Sequence, residues 1–281
     1  MAAYDRAAEL RALDATFSGV RGLVAAGATH VPRIFRVPDH HREPSSQEPP
    51  PPSTSVPVID LGGADRATVV AAVRWAAAEW GFFQVTGHGV PPESMAAAVG
   101  AVRAFHEADG GEGSEKARLY SREPVKAVKY QCNFDLHQSP VANWRDTFYI
   151  RMAPDPPDAD ELPETCRKST RITSFLFDSY QSPNSYEYIK RLRFAYMMIS
   201  NDAFISVENR VVVKNIAPRV SIACFFSSHF HPASTRMYGP IKELLSDDNP
   251  PLYRETLVRD YVKHYNSIGL DAKNAMSDFR S

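Results

Sequence analysis

The fold of this chain is decided by a C-terminal stretch that reads Ile199-Ser-Asn-Asp-Ala-Phe-Ile-Ser-Val-Glu-Asn-Arg-Val-Val212 and resumes, after a further five residues, as Pro218-Arg-Val-Ser-Ile-Ala-Cys-Phe-Phe226. Polar and apolar side chains alternate in its second half. Arg219 and Ser221 share one face of an extended segment, and Val220 and Ile222 share the other. The alternation predicts a β-strand over residues 219–226.

The composition is that of a soluble globular protein with one large domain or two modest ones. Of its 281 residues, 43% are hydrophobic and 23% are charged, which are ordinary values. The formal net charge of −1 gives no overall field that would draw the chain to nucleic acid or to anionic lipid, and the apolar runs are too short to span a bilayer. We expect a monomer with a small-molecule substrate and with neither a nucleic-acid nor a membrane partner.

The cysteines and the N-terminus predict a cytoplasmic protein. Cys132, Cys166 and Cys224 are scattered and odd in number, which fits reduced thiols better than a disulfide framework. The opening Met1-Ala-Ala-Tyr-Asp-Arg6 lacks the apolar core of a signal peptide.

A helix is predicted at the N-terminus, followed by a linker. Residues 4–24 carry apolar side chains with the spacing of one helical face, and Gly27 marks the end of the helix. These side chains are Leu10, Leu13, Phe17, Val20 and Leu23. Residues 40–57 contain the run Pro49-Pro-Pro-Pro52, which favours polyproline II and cannot pack a core. We interpret this stretch as a spacer, and a Pro-rich recognition motif is the alternative.

Helices and strands then alternate. Val56-Pro-Val-Ile-Asp-Leu61 is typical of a strand, Asp65 is placed to cap the next helix, and residues 81–90 form a second strand that ends in a glycine turn. Further predicted elements are a helix with Met95, Val99, Val102 and Phe105 on its buried side, extended segments at 125–134 and 144–151, and a loop at 153–163.

The pattern is lost between Lys168 and Met198, where four tyrosines lie among Ser, Phe and Arg without a period. After His231 we predict one helix that begins at Pro240 and a second helix. The second is lined by Leu257, Val258, Tyr261, Val262 and Tyr265.

Several segments resemble one plant enzyme family. They include Val56–Leu61, Trp80-Gly-Phe-Phe-Gln-Val-Thr-Gly-His-Gly-Val90, Ala142-Asn-Trp-Arg-Asp-Thr147, Tyr238-Gly-Pro-Ile-Lys-Glu-Leu-Leu-Ser246 and the opening Gly19–Phe35. The chain resembles the plant iron(II)/2-oxoglutarate-dependent dioxygenases, and most of all the branch of 1-aminocyclopropane-1-carboxylate oxidase homologs. The resemblance spans about residues 5–167 and 199–281.

The resemblance implies an α+β protein whose main part is a double-stranded β-helix, a jelly-roll variant. It is incomplete here and is preceded by a mixed α/β region. We accordingly divide the chain into four parts. They are an N-terminal helix and Pro-rich linker (1–54), the dioxygenase N-terminal region (55–167), an anomalous insert that replaces the middle of the barrel (168–198) and the C-terminal part of the catalytic domain (199–281).

The resemblance also implies an iron centre whose ligands this sequence lacks. The family holds ferrous iron with two histidines and one carboxylate, which leaves positions open for 2-oxoglutarate and oxygen. The first two ligands come from His-x-Asp, which occurs nowhere in this sequence; the nearest pattern, His41-Arg-Glu43, is a solvated charge cluster in the linker. The last comes from Ser-x-x-His-Arg-Val, and here Asn209 takes the histidine position in Ser206-Val-Glu-Asn-Arg-Val211. A carboxamide oxygen is a far poorer iron ligand than imidazole, so we predict no metal ligand and no catalytic residue.

One half of the co-substrate site is present. Arg219-Val-Ser221 matches the Arg-x-Ser that in the family grips the distal carboxylate of 2-oxoglutarate. A guanidinium can bind a carboxylate through two parallel hydrogen bonds, and the serine hydroxyl adds a donor. Arg219 and Ser221 are therefore the predicted cofactor-binding residues.

Other residues have structural or alternative interpretations. His229-Phe-His231 would place two imidazoles on one strand face, which can chelate a metal if a third ligand comes from elsewhere. His88 is predicted to make a structural hydrogen bond, Asp60 to cap, and Trp80 and Trp144 to pack.

The resemblance thus implies an oxidoreductase by descent. Such an enzyme oxidises a small molecule of plant specialised metabolism with Fe(II) and 2-oxoglutarate, and with ascorbate as reductant. We predict that this chain is deficient in metal binding and turnover. The alternative is a catalytically dead remnant or splice variant, with residues 168–198 derived from a misjoined exon or a retained intron, that acts as a binding protein or has no function.

Overall fold

The computed structural model describes residues 4–36, 55–63, 65–133, 136–137, 141–153, 155–168, 193–207, 218–224, 234–268 and 276–281. The chain divides into two units. The first unit consists of Met1–Pro44, Pro91–Ser185 and Val213–Ile222, and the second consists of Ser45–Val90, Tyr186–Val212 and Ala223–Ser281.

Helices and short strands alternate along the chain. In order they are α1 (Arg6–Asp14), α2 (Gly19–Ala25), β1 (Val58–Asp60), α3 (Arg66–Glu79), β2 (Gln84–Thr86), α4 (Pro92–Glu107), α5 (Glu115–Leu119), β3 (Val128–Cys132), β4 (Asp146–Ile150), α6 (Arg193–Ile199), β5 (Met237–Tyr238), β6 (Thr256–Leu257) and α7 (Val258–Ile268). Turns of 3₁₀-helix occupy Arg33–Phe35, Lys242–Leu244 and Ser277–Phe279. Within the described ranges, no helix has the length and apolar character needed to cross a membrane.

A β-hairpin is the centre of the first unit. Strands β3 and β4 pair antiparallel, with Val128 opposite Ile150 and Cys132 opposite Asp146, which confirms the two extended segments predicted there. All five residues of β3 are buried. One face of the strand packs into two apolar clusters. The first contains Phe105, Leu119, Val128, Tyr130, Leu162 and Cys166, and the second contains Leu10, Leu13, Val20, Ile34, Phe35, Cys132, Leu136 and Ala142.

The prediction of a single N-terminal helix over residues 4–24 is wrong, because the helix is interrupted between α1 and α2. Thr16 donates its hydroxyl to the carbonyl of Leu13 at 2.7 Å and so offers the backbone an alternative to helix continuation. Phe17 and Gly19 have φ of 53° and 60°. Phe17 leaves the apolar stripe and is 38% exposed, whereas Leu10, Leu13 and Val20 are buried as predicted.

Asp146 joins the hairpin to α2. Its carboxylate accepts from the backbone N–H of Val20 at 2.9 Å and of Arg21 at 3.0 Å, so a strand residue more than a hundred positions away caps the helix. Negative charge at this end also complements the helix dipole. A Cβ on Gly19 would lie 2.1 Å from the Asp146 carboxylate, so the close approach requires glycine.

A buried lysine caps the C-terminus of α4, the long helix of the first unit. Lys116 is 1% exposed, and its ammonium donates to the carbonyls of His106 at 2.7 Å and Ala108 at 2.6 Å. These carbonyls lie at the C-terminus of α4, where a helix leaves acceptors unpaired. Burial lowers the pKa of Lys116, and the two carbonyl bonds offset part of the cost of burying its charge.

In the second unit, α3 packs against a parallel pair of short strands. Ile59 of β1 lies opposite Val85 of β2, and the predicted cap is confirmed, since Asp65 accepts from the N–H of Ala67 and of Thr68. The structural hydrogen bond predicted for His88 is also found, whereas Asp60 accepts a hydrogen bond within a turn and does not cap a helix. Asp60 accepts from Gly62 N–H at 3.0 Å, and His88 Nδ1 accepts from Val90 N–H at 3.2 Å.

The Ile199-Ser-Asn-Asp motif holds the C-terminal part of the second unit together. Asn201 and Asp202 have φ of 51° and 64°. The Asn201 amide donates to Pro250 O at 3.0 Å and accepts from Leu252 N–H at 2.8 Å. Asp202 accepts from Tyr253 and from Arg280. These contacts border a core of Met198, Tyr238, Tyr253, Val258, Tyr261 and Phe279, with Val262 packed against it. Val258, Tyr261 and Val262 therefore lie on the side of α7 that was predicted to be buried, whereas the side chain of Tyr265 lies outside the described residues.

Two predictions for the C-terminal half are corrected. Residues 218–224 form neither strand nor helix, so the strand predicted from the alternation at Arg219 is absent over these residues. Pro240 is followed only by the 3₁₀ turn Lys242–Leu244. In the described part of the chain, the strands pair as three two-stranded sheets. An alternating pattern forms a strand only where another strand offers hydrogen-bond partners.

We predict that Asp146→Ala destabilises the protein by about 1–2 kcal/mol, the usual loss when a helix cap is removed. Urea unfolding followed by circular dichroism measures the loss. Asp160→Ala, at an exposed turn, is the matched control. Equal unfolding midpoints for the two variants would show that the cap contributes nothing.

Candidate functional site

The structure places the predicted co-substrate residues on an exposed segment of the first unit. Arg219 and Ser221 are both exposed, with Val220 half-buried between them. Their segment has no regular secondary structure, so a strand does not fix their relative orientation. Asn209, His41 to Glu43, and His229 to His231 lie outside the described residues.

The described residues do not fit a ferrous ion. Among them, no three His, Cys, Asp or Glu side chains converge as a metal site would require. Iron held by two imidazoles and a carboxylate would supply open positions for 2-oxoglutarate and oxygen, but no such donor set is found in this part of the chain. No reaction step through a metal is therefore derived.

Among the described residues, the cysteines join no group of metal ligands either. Cys132, Cys166 and Cys224 are all free thiols. Cys132 and Cys166 are buried, and burial raises the pKa of both, so they stay protonated at neutral pH. Cys224 is exposed.

A cluster that sequence analysis missed surrounds Asp14 in the first unit. Arg122 donates to both carboxylate oxygens, at 2.6 Å from Nη2 and 2.9 Å from Nε. Tyr120 donates its hydroxyl to the same carboxylate, and His137 Nε2 lies 3.3 Å from it. Arg122 also donates to the carbonyls of Cys132 at 2.8 Å and Asn133 at 3.0 Å, so this guanidinium is fully engaged.

The cluster lies beside an open cavity of about 810 Å³. The cavity is lined by Arg11, Asp14, Ala15, Phe17, Tyr120, Ser121, Arg122, Glu123, Pro124 and His137. Burial alone would raise the pKa of Asp14, but the hydrogen bonds from Arg122 and Tyr120 outweigh it and lower that pKa. Burial and the bond to Asp14 raise the pKa of Tyr120. Because Arg122 bonds both to Asp14 and to the carbonyls of Cys132 and Asn133, the cluster ties α1 to the end of β3.

Comparison with known proteins gives the class of the chain. Residues 56–170 match the family described as "non-haem dioxygenase in morphine synthesis N-terminal". The 1-aminocyclopropane-1-carboxylate oxidase homolog 1 of Arabidopsis thaliana is 35% identical, with 98% of this chain and 97% of the relative aligned. A 1-aminocyclopropane-1-carboxylate oxidase homolog of Solanum lycopersicum is 30% identical, over 99% and 97% of the two chains.

Two solved structures share the fold. The crystal structure of JOX2 in complex with 2OG, Fe and JA matches with a TM-score of 0.70 at 20% identity, over 94% of this chain and 97% of JOX2. The dioxygenase for auxin oxidation in rice matches with a TM-score of 0.55 at 19% identity, over 81% of this chain and all of that one. Both matches support the predicted jelly-roll class.

The chain therefore belongs to the iron(II)/2-oxoglutarate-dependent dioxygenase family. Within that family its relatives are the 1-aminocyclopropane-1-carboxylate oxidase homologs, as the sequence motifs predicted.

The alignments also reveal an internal gap. The alignment with homolog 1 runs over 358 positions but takes in only 98% of a 281-residue chain, so at least about 80 positions face no residue of this chain. Because the alignment nearly reaches both ends of each protein, most of these positions are internal. The shortening is consistent with the missing middle of the barrel.

We predict that Asp14→Asn lowers the free energy of unfolding by about 1–3 kcal/mol at neutral pH, since it weakens a half-buried, hydrogen-bonded ion pair. The pKa of Asp14 is lower in the folded state, so its contribution is fully present above the ordinary value of 3.8 and is lost as the pH falls through the folded-state pKa. The variant should therefore lose less stability than the wild type between neutral pH and about pH 3.

Urea unfolding at the two pH values tests this. Glu123→Gln, which lines the same cavity, is the control and should resemble the wild type. Parallel pH dependence in the wild type and Asp14→Asn would contradict the assignment.

Proposed function

We propose that this chain does not complete the oxidation that its family carries out. The observation that carries the proposal is the sequence itself, which contains no His-x-Asp and has Asn209 in place of the remaining histidine. Ferrous iron needs several well-aimed donors at once. All three family ligands are missing, so the family's mode of iron binding is lost. Asn209 alone cannot replace them.

Three further observations support the proposal. At least about 80 aligned positions of homolog 1 have no counterpart here. The described residues hold no converging group of metal donors. Arg219 and Ser221 lie exposed on an irregular segment, where water would compete with a carboxylate for their hydrogen bonds.

A complete family member would use Fe(II), 2-oxoglutarate and ascorbate to oxidise a small molecule, and the JOX2 structure holds 2OG, Fe and JA. For this chain we propose that Arg219 and Ser221 bind 2-oxoglutarate weakly in the absence of a metal. We further propose a cytoplasmic monomer with an incomplete jelly roll, in which residues 168–198 replace the middle of the barrel.

The second candidate function is that of a binding protein. The first unit keeps two apolar clusters around its hairpin, together with a capped helix and a half-buried ion pair. Such a unit can hold a ligand without catalysing a reaction on it.

We predict no oxygen-dependent production of succinate when the purified chain is mixed with Fe(II), 2-oxoglutarate and ascorbate. Mass spectrometry of succinate measures turnover, and a complete family member assayed in parallel is the positive control. Restoration of one ligand by Asn209→His should leave turnover absent, because two donors are still missing. Clear succinate production by the wild-type chain would refute the proposal.

We also predict that 2-oxoglutarate binds weakly and that added metal does not change its affinity. Arg219→Gln should weaken this binding about tenfold, since it removes a charge-assisted hydrogen-bond pair. Isothermal titration under anaerobic conditions, with and without Fe(II), measures both effects. Arg259→Gln, at an exposed arginine of α7, is the control. Tight and metal-dependent binding would contradict the prediction and favour a working iron centre.

A further inference from the structure

One face of the hairpin is polar, although much of it is buried. Lys129 and Gln131 of β3 are each 7% exposed, and they lie opposite Tyr149 and Thr147 of β4. Arg151 continues the same side, because its N–H still bonds to the carbonyl of Ala127 at 2.8 Å. We call these five residues, Lys129, Gln131, Thr147, Tyr149 and Arg151, the polar face.

Several groups of the polar face are held in place by the chain itself. The Lys129 ammonium donates to the Glu123 carbonyl at 2.8 Å and lies 5.2 Å from the centre of the Tyr149 ring. Arg151 Nη1 donates to the Val125 carbonyl at 3.0 Å. These bonds fix two cations on the face, and the face itself contains no carboxylate.

Two polar atoms of the face lack a partner. Thr147 Oγ1 and Arg151 Nε are both buried, and neither has a hydrogen bond within the described structure. A buried polar atom without a partner costs free energy, and native proteins contain few of them. Thr147 lies in β4, and Arg151, four positions on, directly follows the strand and continues its pairing, so the two atoms belong to the same side of the hairpin.

We infer that the polar face binds an organic anion that carries a second polar group. Arg151 Nε would donate to its carboxylate, and Lys129 would add positive charge. Tyr149 lies two positions from each of Thr147 and Arg151, and it would contact an apolar body between the two polar groups of the ligand. Thr147 would bond a hydroxyl or carbonyl at the far end of the ligand.

The spacing sets the size of the ligand. Residues i and i+4 of a strand lie about 13 Å apart, so one molecule that satisfies both atoms must hold its two polar groups on the order of 10 Å apart. An ω-hydroxy fatty acid of medium length has this shape. 2-Oxoglutarate is shorter, and its predicted partners are Arg219 and Ser221. The inference goes beyond the proposed loss of turnover, because it requires neither iron nor oxidation.

The test is isothermal titration of the full chain, without metal, using 8-hydroxyoctanoate and octanoate. We expect saturable binding of both, with the hydroxy acid bound more tightly because Thr147 gains a partner. A plain apolar groove would prefer octanoate, whose tail is more hydrophobic. This comparison requires no substitution, so it does not depend on any variant folding.

Variants then assign the atoms. Thr147→Val should weaken binding of the hydroxy acid about 3–10-fold and leave octanoate unchanged, whereas Thr147→Ser should restore wild-type binding. Arg151→Lys should weaken both ligands about tenfold, since it keeps the charge but loses Nε. Arg118→Gln, an exposed arginine of α5, is the matched control and should bind like the wild type.

Three results would overturn the inference. They are absence of saturable binding to the wild type, hydroxy-acid binding that Thr147→Val leaves intact, and loss of both ligands in Arg219→Gln. The last would place the anion on the Arg-x-Ser segment. The succinate assay is independent of all three, so failure here does not affect the proposed function.

Discussion

A β-strand is stable only when another strand completes its hydrogen bonds, and this constraint governs what the chain can build. In the described part of the protein, strands exist only as three pairs. β3 and β4 follow one another closely in the first unit, so their hairpin forms from local sequence. The segment around Arg219 has a strand's alternation but no strand geometry. About 80 aligned positions of homolog 1 have no counterpart in this chain.

Where sheet pairing is scarce, polar side chains take over the role of joining distant segments. Asp146 caps α2, which lies more than a hundred positions earlier in the sequence. Arg122 pairs with Asp14, 108 positions away. Asn201 hydrogen-bonds to Asn249 and Leu252. Each of these contacts pairs a charged or amide group with backbone or with an opposite charge, so the cost of partial burial is offset. The family fold is thus recognisable although the sheets are short.

Sequence could predict what local chemistry determines. The Asp65 cap, the hairpin strands and α4 follow from patterns within a few residues, as does the burial of Phe105, Val258 and Tyr261, although Met95 of the side of α4 predicted to be buried is 41% exposed. The family follows from segments such as residues 80–90. The break at Phe17 escaped prediction because apolar spacing continues across it, while the Thr16 hydroxyl redirects the backbone. The cluster at Asp14 could not be predicted, since no local signal relates a residue of α1 to Tyr120 and Arg122. For iron, the sequence alone could show that the His-x-Asp motif is missing and that Asn209 takes the later histidine position, because a motif can be searched for without a structure.

The distribution of thiols has a practical consequence. Two of the three cysteines are enclosed with raised pKa values, whereas Cys224 faces solvent three positions beyond Ser221. A maleimide dye should therefore attach at a single place, next to the Arg-x-Ser segment, without any engineered mutation. Its fluorescence would report whether that segment becomes ordered when a dicarboxylate arrives, so the wild-type chain already carries its own labelling handle.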